Sequence, residues 1–213
     1  MKHKKTVFIM IAVVLLIAAA AAILYRKYRP DNEGRVVQPQ AAFSCASISF
    51  YRQRDAAWAD DHLGESRFTM ASSGCLTTAL AAGLEMEKQK EDPAYELTPG
   101  ELNRLFSDKG VYNSSGDIVW GTISNALDGV QVYVGKGVDS SIIDDFLREG
   151  NYPAVRVRVG GNGAMHWVLI VSSDETMYYC MDPLSQQTTA VPLSSFDSKV
   201  YSIRCVYWKA PSY

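Results

Sequence analysis

An uncharged run of 20 residues near the N-terminus, 6–25, limits what this chain can form more than any other feature. A helix rises about 1.5 Å per residue, so a run of this length covers the roughly 30 Å hydrocarbon core of a bilayer. Basic residues flank the run on both sides: Lys2, Lys4, Lys5, Arg26, Lys27 and Arg29. The pattern predicts one transmembrane helix within 1–29 that anchors the protein in a membrane.

A cleaved signal peptide is the alternative interpretation of this segment. The apolar stretch of a signal peptide is usually shorter, about 7–15 residues, although the alanines at 18–22 offer small residues for cleavage. The basic residues are nearly balanced across the run, so the positive-inside rule decides little. Because only five residues precede the run, we expect the N-terminus inside a bacterial-type cell membrane. The following domain is then extracytoplasmic, or secreted if the leader is cleaved.

The rest of the chain has the composition of an ordinary globular protein. With 47% hydrophobic and 21% charged residues among 213, it is long enough to bury a sizeable core. Prolines and mixed charge predict a linker at 30–42, which leaves 43–213 as one domain. The formal net charge of −2 offers no basic field that neutralises phosphates, so nucleic acid is not an expected partner.

Four cysteines, Cys45, Cys75, Cys180 and Cys205, raise the question of disulfides and metals. In an extracytoplasmic domain, four cysteines allow three pairings. A bridge between Cys180 and Cys205 is compatible with the strand-like runs around them, but a domain of this size folds without one. No two cysteines have the short spacing of a zinc site, and the chain holds only three histidines. We therefore expect no metal.

The hydrophobic period changes in the middle of the domain. After a short extended run at 47–51, helical patterns cover 71–86, 98–107, 117–127 and 139–149. Alternating or β-branched runs follow at 154–159, 165–171, 177–181 and 201–208. This order predicts an α+β domain in which N-terminal helices pack on a C-terminal antiparallel sheet.

Cys75 is the first candidate for chemistry. Ser72 and Ser73 are good N-cap residues, which predicts that Cys75 lies in the first turn of its helix. There, unpaired backbone N–H groups and the helix dipole stabilise a thiolate. The alternative interpretation is a small buried hydrophobe with no chemical role.

His166 and Asp182 are the other two candidates. His166 begins a buried-looking strand after a glycine-rich turn, and Asp182 follows a strand and precedes Pro183. A core histidine and a turn-forming aspartate are the ordinary interpretations. Together with Cys75, however, these residues supply the nucleophile, base and carboxylate that an activated thiol needs. His62 lies in a charged stretch and is expected at the surface.

These residues stand in a longer pattern. It comprises Gln53-x-Asp55-x-x-Trp58, the segment 72–81 around Cys75, His166-Trp167-Val168-Leu169-Ile170 and Asp182-Pro183. The pattern resembles the papain-like cysteine peptidase family related to bacteriocin double-glycine leader peptidases, over most of 45–210. The resemblance implies a papain-like fold with four site residues: Cys75 as nucleophile, His166 as general base and acid, Asp182 as the residue that orients the imidazole, and Gln53 as side-chain donor of the oxyanion hole.

The resemblance implies a membrane-anchored cysteine peptidase that cuts a peptide or protein substrate through a Cys75 thioester and needs no cofactor. The sequence contains no ATP-binding segment and no second apolar span, so we do not expect the transporter-fused form, and the double-glycine substrate is not carried over. Two alternatives remain open: a cell-wall peptide hydrolase or transglutaminase-type thiol enzyme, and a non-catalytic surface-binding module of the same fold. Arg156 and Arg158 alternate with valines, as on a solvated strand face or one that attracts an acidic peptide.

Overall fold

The structure is a computed structural model that describes residues 33–209. The predicted transmembrane segment, 1–29, lies outside the described residues. From Gly34 onward the chain belongs to one compact unit. Between 33 and 209, no helix combines the length and the apolar character that crossing a bilayer requires.

Five α-helices occur in the described part of the chain: α1 (Met70–Ser73), α2 (Cys75–Lys88), α3 (Pro99–Asp108), α4 (Ile123–Ala126) and α5 (Ser140–Arg148). The helices predicted at 98–107 and 139–149 are confirmed to within one residue at each end. Their starts are capped as the sequence suggests, since Thr98 and Glu101 form a capping box and Asp139 accepts a hydrogen bond from the Ser141 N–H.

The helix predicted at 117–127 is wrong over its first half. Helical structure there is limited to a 3-10 turn, Trp120–Thr122, followed by α4. Asn113 explains the difference, because its Oδ1 accepts the N–H of Asp117 at 3.0 Å and closes a turn. Ile118 then forms an antiparallel bridge with Tyr112 instead of entering a helix.

Eight strands occur in the described residues: β1 (Arg35–Val36), β2 (Val130–Val134), β3 (Ala154–Arg158), β4 (Met165–Ser173), β5 (Tyr178–Met181), β6 (Val191–Pro192), β7 (Lys199–Val200) and β8 (Ser202–Trp208). Six of them form a sheet in the order β2-β8-β3-β4-β5-β6, and every pairing is antiparallel. The predicted α+β architecture, with N-terminal helices packed on an antiparallel sheet, is confirmed. Four of the strands, β1, β2, β6 and β7, were not predicted.

The predicted linker, 30–42, is not a free connection from Arg35 onward. Strand β1 pairs antiparallel with β7, so that Arg35 lies opposite Val200. Val37 is buried in the core, and the N–H of Gln40 donates to Asp144 Oδ2 at 3.0 Å. An apolar side chain and paired backbone groups thus hold this stretch against the domain.

Helix α2 packs directly on the sheet, and small residues make the close approach possible. A Cβ added at Gly83 would lie 3.2 Å from Leu169 Cδ1 on β4. Ala79, Ala81 and Leu84 on the same helix are fully buried. This contact fixes the helix axis, and with it the first residue of the helix, Cys75, relative to strand β4.

The predicted extended run, 47–51, forms no strand and is held by a buried carboxylate instead. Glu85 of α2 accepts hydrogen bonds from Ser49 Oγ at 2.5 Å and from Tyr51 O–H at 2.6 Å. Its Oε2 also accepts the N–H of Leu97 at 2.8 Å. The segment that leads to Gln53 is therefore attached to the same helix that carries Cys75.

Candidate active site

Cys75 is the first residue of α2 and so lies in the first turn, as the sequence predicts, but its helix is not capped by a serine. Ser72 and Ser73 belong to α1, and the N-cap position of α2 is Gly74, which has no side chain to bind the first turn. Gly74 forms the join between α1 and α2. A Cβ there would lie 2.6 Å from the carbonyl oxygen of Met70, so only glycine fits at this position. The helix N-terminus therefore leaves its positive dipole end available to a thiolate at Cys75.

His166 is the second residue of β4 and lies opposite Val157 on β3. Its side chain is only 3% exposed. Its Nε2 lies 2.7 Å from Asp182 Oδ1, and the Cys75 side chain is close enough to the ring to raise the pKa of the imidazole. The structure thus brings together three of the four predicted site residues around one imidazole.

The protonation of His166 follows from these contacts. Burial lowers the pKa of the imidazole, but the hydrogen bond to Asp182 and the interaction with Cys75 outweigh it and raise the pKa of His166 from 6.5 to about 9. The imidazolium is therefore the stable form near neutral pH. This form can pair with a thiolate and can donate a proton.

Asp182 directly follows strand β5, and its carboxylate has two roles. Oδ1 accepts the N–H of Leu184 at 2.8 Å, which is the turn that its sequence position suggests, and Oδ1 also binds His166. The Leu184 N–H therefore holds the carboxylate in the orientation in which it contacts the imidazole. The ordinary interpretation of Asp182 and the catalytic one are therefore compatible.

Gln53 lies between the segments that carry Cys75 and Asp182. Its backbone N–H donates to the Pro183 carbonyl at 3.0 Å, and its side-chain Nε2 donates to the Ala71 carbonyl at 2.9 Å. Gln53 is 3% exposed, and its Oε1 has no partner in the described part of the protein. An amide nitrogen carries two hydrogens, so one N–H remains after the bond to Ala71.

Phe196 was not predicted and contacts the site through His166. The two ring centroids lie 6.4 Å apart with an interplanar angle of 44°, and Phe196 is buried. No spacing in the sequence ties it to His166, because the contact depends on how the segment after β6 folds over the sheet. His62 is exposed, as expected, and its Nδ1 lies 2.8 Å from the Ser66 carbonyl oxygen.

All four cysteines are free, and the bridge considered between Cys180 and Cys205 is absent. Strands β5 and β8 are separated by β3 and β4 in the sheet, a spacing of roughly 14 Å, whereas disulfide Cα atoms lie within about 7 Å. Burial raises the pKa of both thiols, so they stay protonated. Within 33–209, no three His, Cys, Asp or Glu side chains are grouped so as to hold a metal ion.

No protein-family model matches the chain, and no curated protein matches it. Among solved structures, it is similar to a crystal structure from Bacillus anthracis that is provisionally described as a C39-like peptidase. The TM-score is 0.49 at 12% sequence identity, and the match covers 80% of this chain and 99% of that chain. The likeness concerns the overall arrangement of the chain.

Proposed function

We propose that this protein is a cysteine peptidase of the papain-like type, with Cys75 as nucleophile, His166 as general base and acid, Asp182 as the orienting residue and Gln53 as an oxyanion donor. One observation carries the proposal: a buried imidazole lies 2.7 Å from a carboxylate and close enough to a thiol at a helix N-terminus for that thiol to raise the pKa of the imidazole. A thiol activated in this way is a nucleophile for acyl groups.

In the first half of the reaction, the Cys75 thiolate attacks the carbonyl carbon of the scissile peptide bond. The carbonyl π electrons move to oxygen, and the remaining N–H of Gln53 Nε2 together with the Cys75 N–H stabilises the oxyanion. When the carbonyl re-forms, the C–N bond breaks. The leaving nitrogen takes the proton from His166 Nδ1, which releases an amine and leaves a thioester.

In the second half, neutral His166 takes a proton from water while the water oxygen attacks the thioester carbonyl. Collapse of the second tetrahedral species breaks the C–S bond and releases the carboxylic acid product. Cys75 returns as thiolate and His166 as imidazolium, so atoms and charge balance over the cycle. Asp182 accepts the hydrogen bond of Nε2 throughout and keeps Nδ1 directed at the reacting atoms.

We propose further that the enzyme is anchored in the membrane with its domain outside the cytoplasm. The uncharged run at 6–25 supports a single-pass anchor, and the five residues that precede it support an N-terminus inside and an extracytoplasmic domain. The substrate is then a peptide or protein outside the cytoplasm. Protease protection of the full-length protein in intact cells and in opened cells tests the orientation, since protection in intact cells would contradict it.

Peptide hydrolysis by the full-length protein in detergent micelles tests the chemistry. A complex peptide mixture is incubated with wild type, with Cys75→Ala and with the control variant Cys45→Ala, and new peptide termini are identified by mass spectrometry. Cys45 is a suitable control because it is the other half-buried thiol and bonds only Ser47 and Tyr152. We expect cleavage by wild type and Cys45→Ala and none by Cys75→Ala. Cleavage that persists in Cys75→Ala would contradict the assignment.

A further inference from the structure

Arg156 and Arg204 lie on one face of the sheet with Trp167. Arg156 pairs across the strands with Trp167 on β4 and with Ser202 on β8. Side chains alternate along a strand, so Arg204, two residues after Ser202, projects from the same face. The sheet register therefore groups two guanidinium groups beside an indole ring.

Neither arginine has an acidic partner among residues 33–209. The Nε atoms of both are buried and make no hydrogen bond to the described residues. Arg204 Nη1 donates only to backbone carbonyls, those of Gly135 at 3.3 Å and Ile203 at 2.8 Å. Burial and the nearby charge of Arg156 lower the pKa of Arg204. Two half-buried positive charges without a counter-ion are unfavourable, and an anion between them would relieve the repulsion.

Arg158 differs from Arg156 and Arg204, because its Nε is not buried without a hydrogen-bond partner as theirs are. It donates to the Gly163 carbonyl at 2.9 Å and stacks over Tyr201 at 5.3 Å. The alternation of valine and arginine in the sequence does not distinguish Arg156 from Arg158. Their partners in the structure do.

Two tryptophans form the walls around Arg204. Its guanidinium carbon lies 5.5 Å from the Trp120 ring centroid and 6.0 Å from that of Trp167. Stacking of this kind holds the guanidinium plane in one orientation and leaves its edge for hydrogen bonding. The two terminal nitrogens of a guanidinium can bind the two oxygens of a carboxylate end-on.

The arginine face is the face on which the helix of Cys75 packs. Trp167 directly follows His166 in β4, so the side chains of these two residues project from opposite faces of the sheet. Leu169, two residues further on and on the same face as Trp167, contacts helix α2 at Gly83. The helix that begins at Cys75 therefore packs on the side of the sheet from which the arginines project.

Building on the proposed function, we propose that Arg156 and Arg204 form a subsite that binds the carboxylate of an acidic side chain in the peptide substrate. The site discriminates Glu or Asp from Gln or Asn at one substrate position. A charge-assisted bidentate contact of this kind changes affinity by about tenfold or more.

Binding to full-length Cys75→Ala in micelles tests the subsite without requiring turnover. The probes are pairs of blocked, alanine-rich hexapeptides that are identical except that one position, moved along the peptide, carries Glu or Gln. Affinities are measured by isothermal titration calorimetry at low and at physiological salt. We expect a Glu preference of about tenfold at one position, reduced to less than about twofold by adding Arg156→Gln or Arg204→Gln. Arg104→Gln, which removes the same charge from an exposed residue of α3, should retain the preference.

The outcomes separate this inference from the proposed function. Equal affinity for every Glu and Gln pair, or a preference that survives both arginine substitutions, overturns the subsite. A preference that is lost in both arginine variants supports it, even if wild type cleaves no peptide and the proposed peptidase activity fails. Arg156→Lys and Arg204→Lys provide the same test if a glutamine variant does not fold, because lysine keeps the charge but loses the planar fork, and the preference should fall.

Discussion

Nε2 of His166 lies 2.7 Å from Oδ1 of Asp182, although 16 residues separate them in sequence. An ionised carboxylate only accepts hydrogen bonds, so Nε2 carries a proton in this contact. Nδ1 is therefore the ring nitrogen that is left for the Cys75 thiol. The pairing of β4 with β5 thus sets both the direction and the tautomer of the imidazole.

The pH profile of the enzyme should follow the protonation of His166. Its pKa is raised to about 9, so the imidazolium is fully present below about 6.5 and is lost as pH rises through about 9. We expect the alkaline limb of kcat/KM near pH 9. In Asp182→Asn this limb should move to lower pH, and turnover should fall by up to about 10⁴-fold, the loss seen when the orienting aspartate of a serine triad is changed. Steady-state kinetics against pH measures both effects, and an unchanged profile would remove Asp182 from the site.

Gln53→Ala should affect acyl transfer more than thiol reactivity. Loss of one oxyanion donor lowers kcat by about 10²–10³-fold, whereas alkylation of Cys75 by iodoacetamide forms no oxyanion. We expect a large loss of peptide hydrolysis with an alkylation rate within a few-fold of wild type. Equal losses in both assays would mean that Gln53 only holds the segment at Ala71 and Pro183 in place.

Gly74→Ala should disturb the join that positions Cys75. The added methyl would lie 2.6 Å from the Met70 carbonyl oxygen and 2.8 Å from its Sδ, so we expect the free energy of unfolding to fall by about 1–3 kcal/mol. Cys75 should also alkylate more slowly. Gly121→Ala is the matched control, because a Cβ there meets nothing within 4 Å. Urea denaturation compares the two, and equal stability of both variants would contradict the packing account.

Glu85→Ala should destabilise the fold strongly, because Glu85 is a buried carboxylate that accepts several hydrogen bonds. It removes the acceptor of Ser49, Tyr51 and the Leu97 N–H, and donors left unsatisfied cost about 1–3 kcal/mol each. We expect a total loss of about 2–5 kcal/mol in unfolding free energy. Glu91→Ala, which breaks only an exposed pair with Lys88 at 3.7 Å, should change it by less than about 1 kcal/mol. A small effect for Glu85→Ala would mean that water replaces the carboxylate.

The sequence predicted correctly that Cys75 lies in the first turn of its helix, but for the wrong reason. Serines are good caps in isolation, yet Ser72 and Ser73 lie inside the short helix α1, whose N-cap residue is Thr69. Ser72 Oγ accepts the N–H of Thr69 at 2.9 Å. The sequence did not indicate that glycine is required at position 74. The φ of Gly74, −80°, is open to any residue, and the requirement comes from the contact with Met70. Local propensity locates a helix, whereas contacts across a join decide which residue begins it.

The alternating hydrophobic pattern predicted strands but not the order in which they lie in the sheet. Cys180 and Cys205 both lie in strands, and only the sheet order reveals that two strands separate them. The same limit applies to Arg156, whose lack of a partner depends on β4 and β8 lying beside β3. Phe196 and Glu85 likewise act through tertiary contacts that no spacing encodes.

The most direct test of the thiol and imidazole pair is the pH dependence of Cys75 alkylation in the full-length protein, compared with His166→Ala and His166→Gln. Free thiols react only as they ionise, near a pKa of about 8.5. We predict that Cys75 alkylates rapidly well below that pH and that both histidine variants lose this reactivity while they remain folded. Slow alkylation of wild type that rises only near the pKa of a free thiol, with no effect of His166, would contradict the active site and favour a non-catalytic binding module.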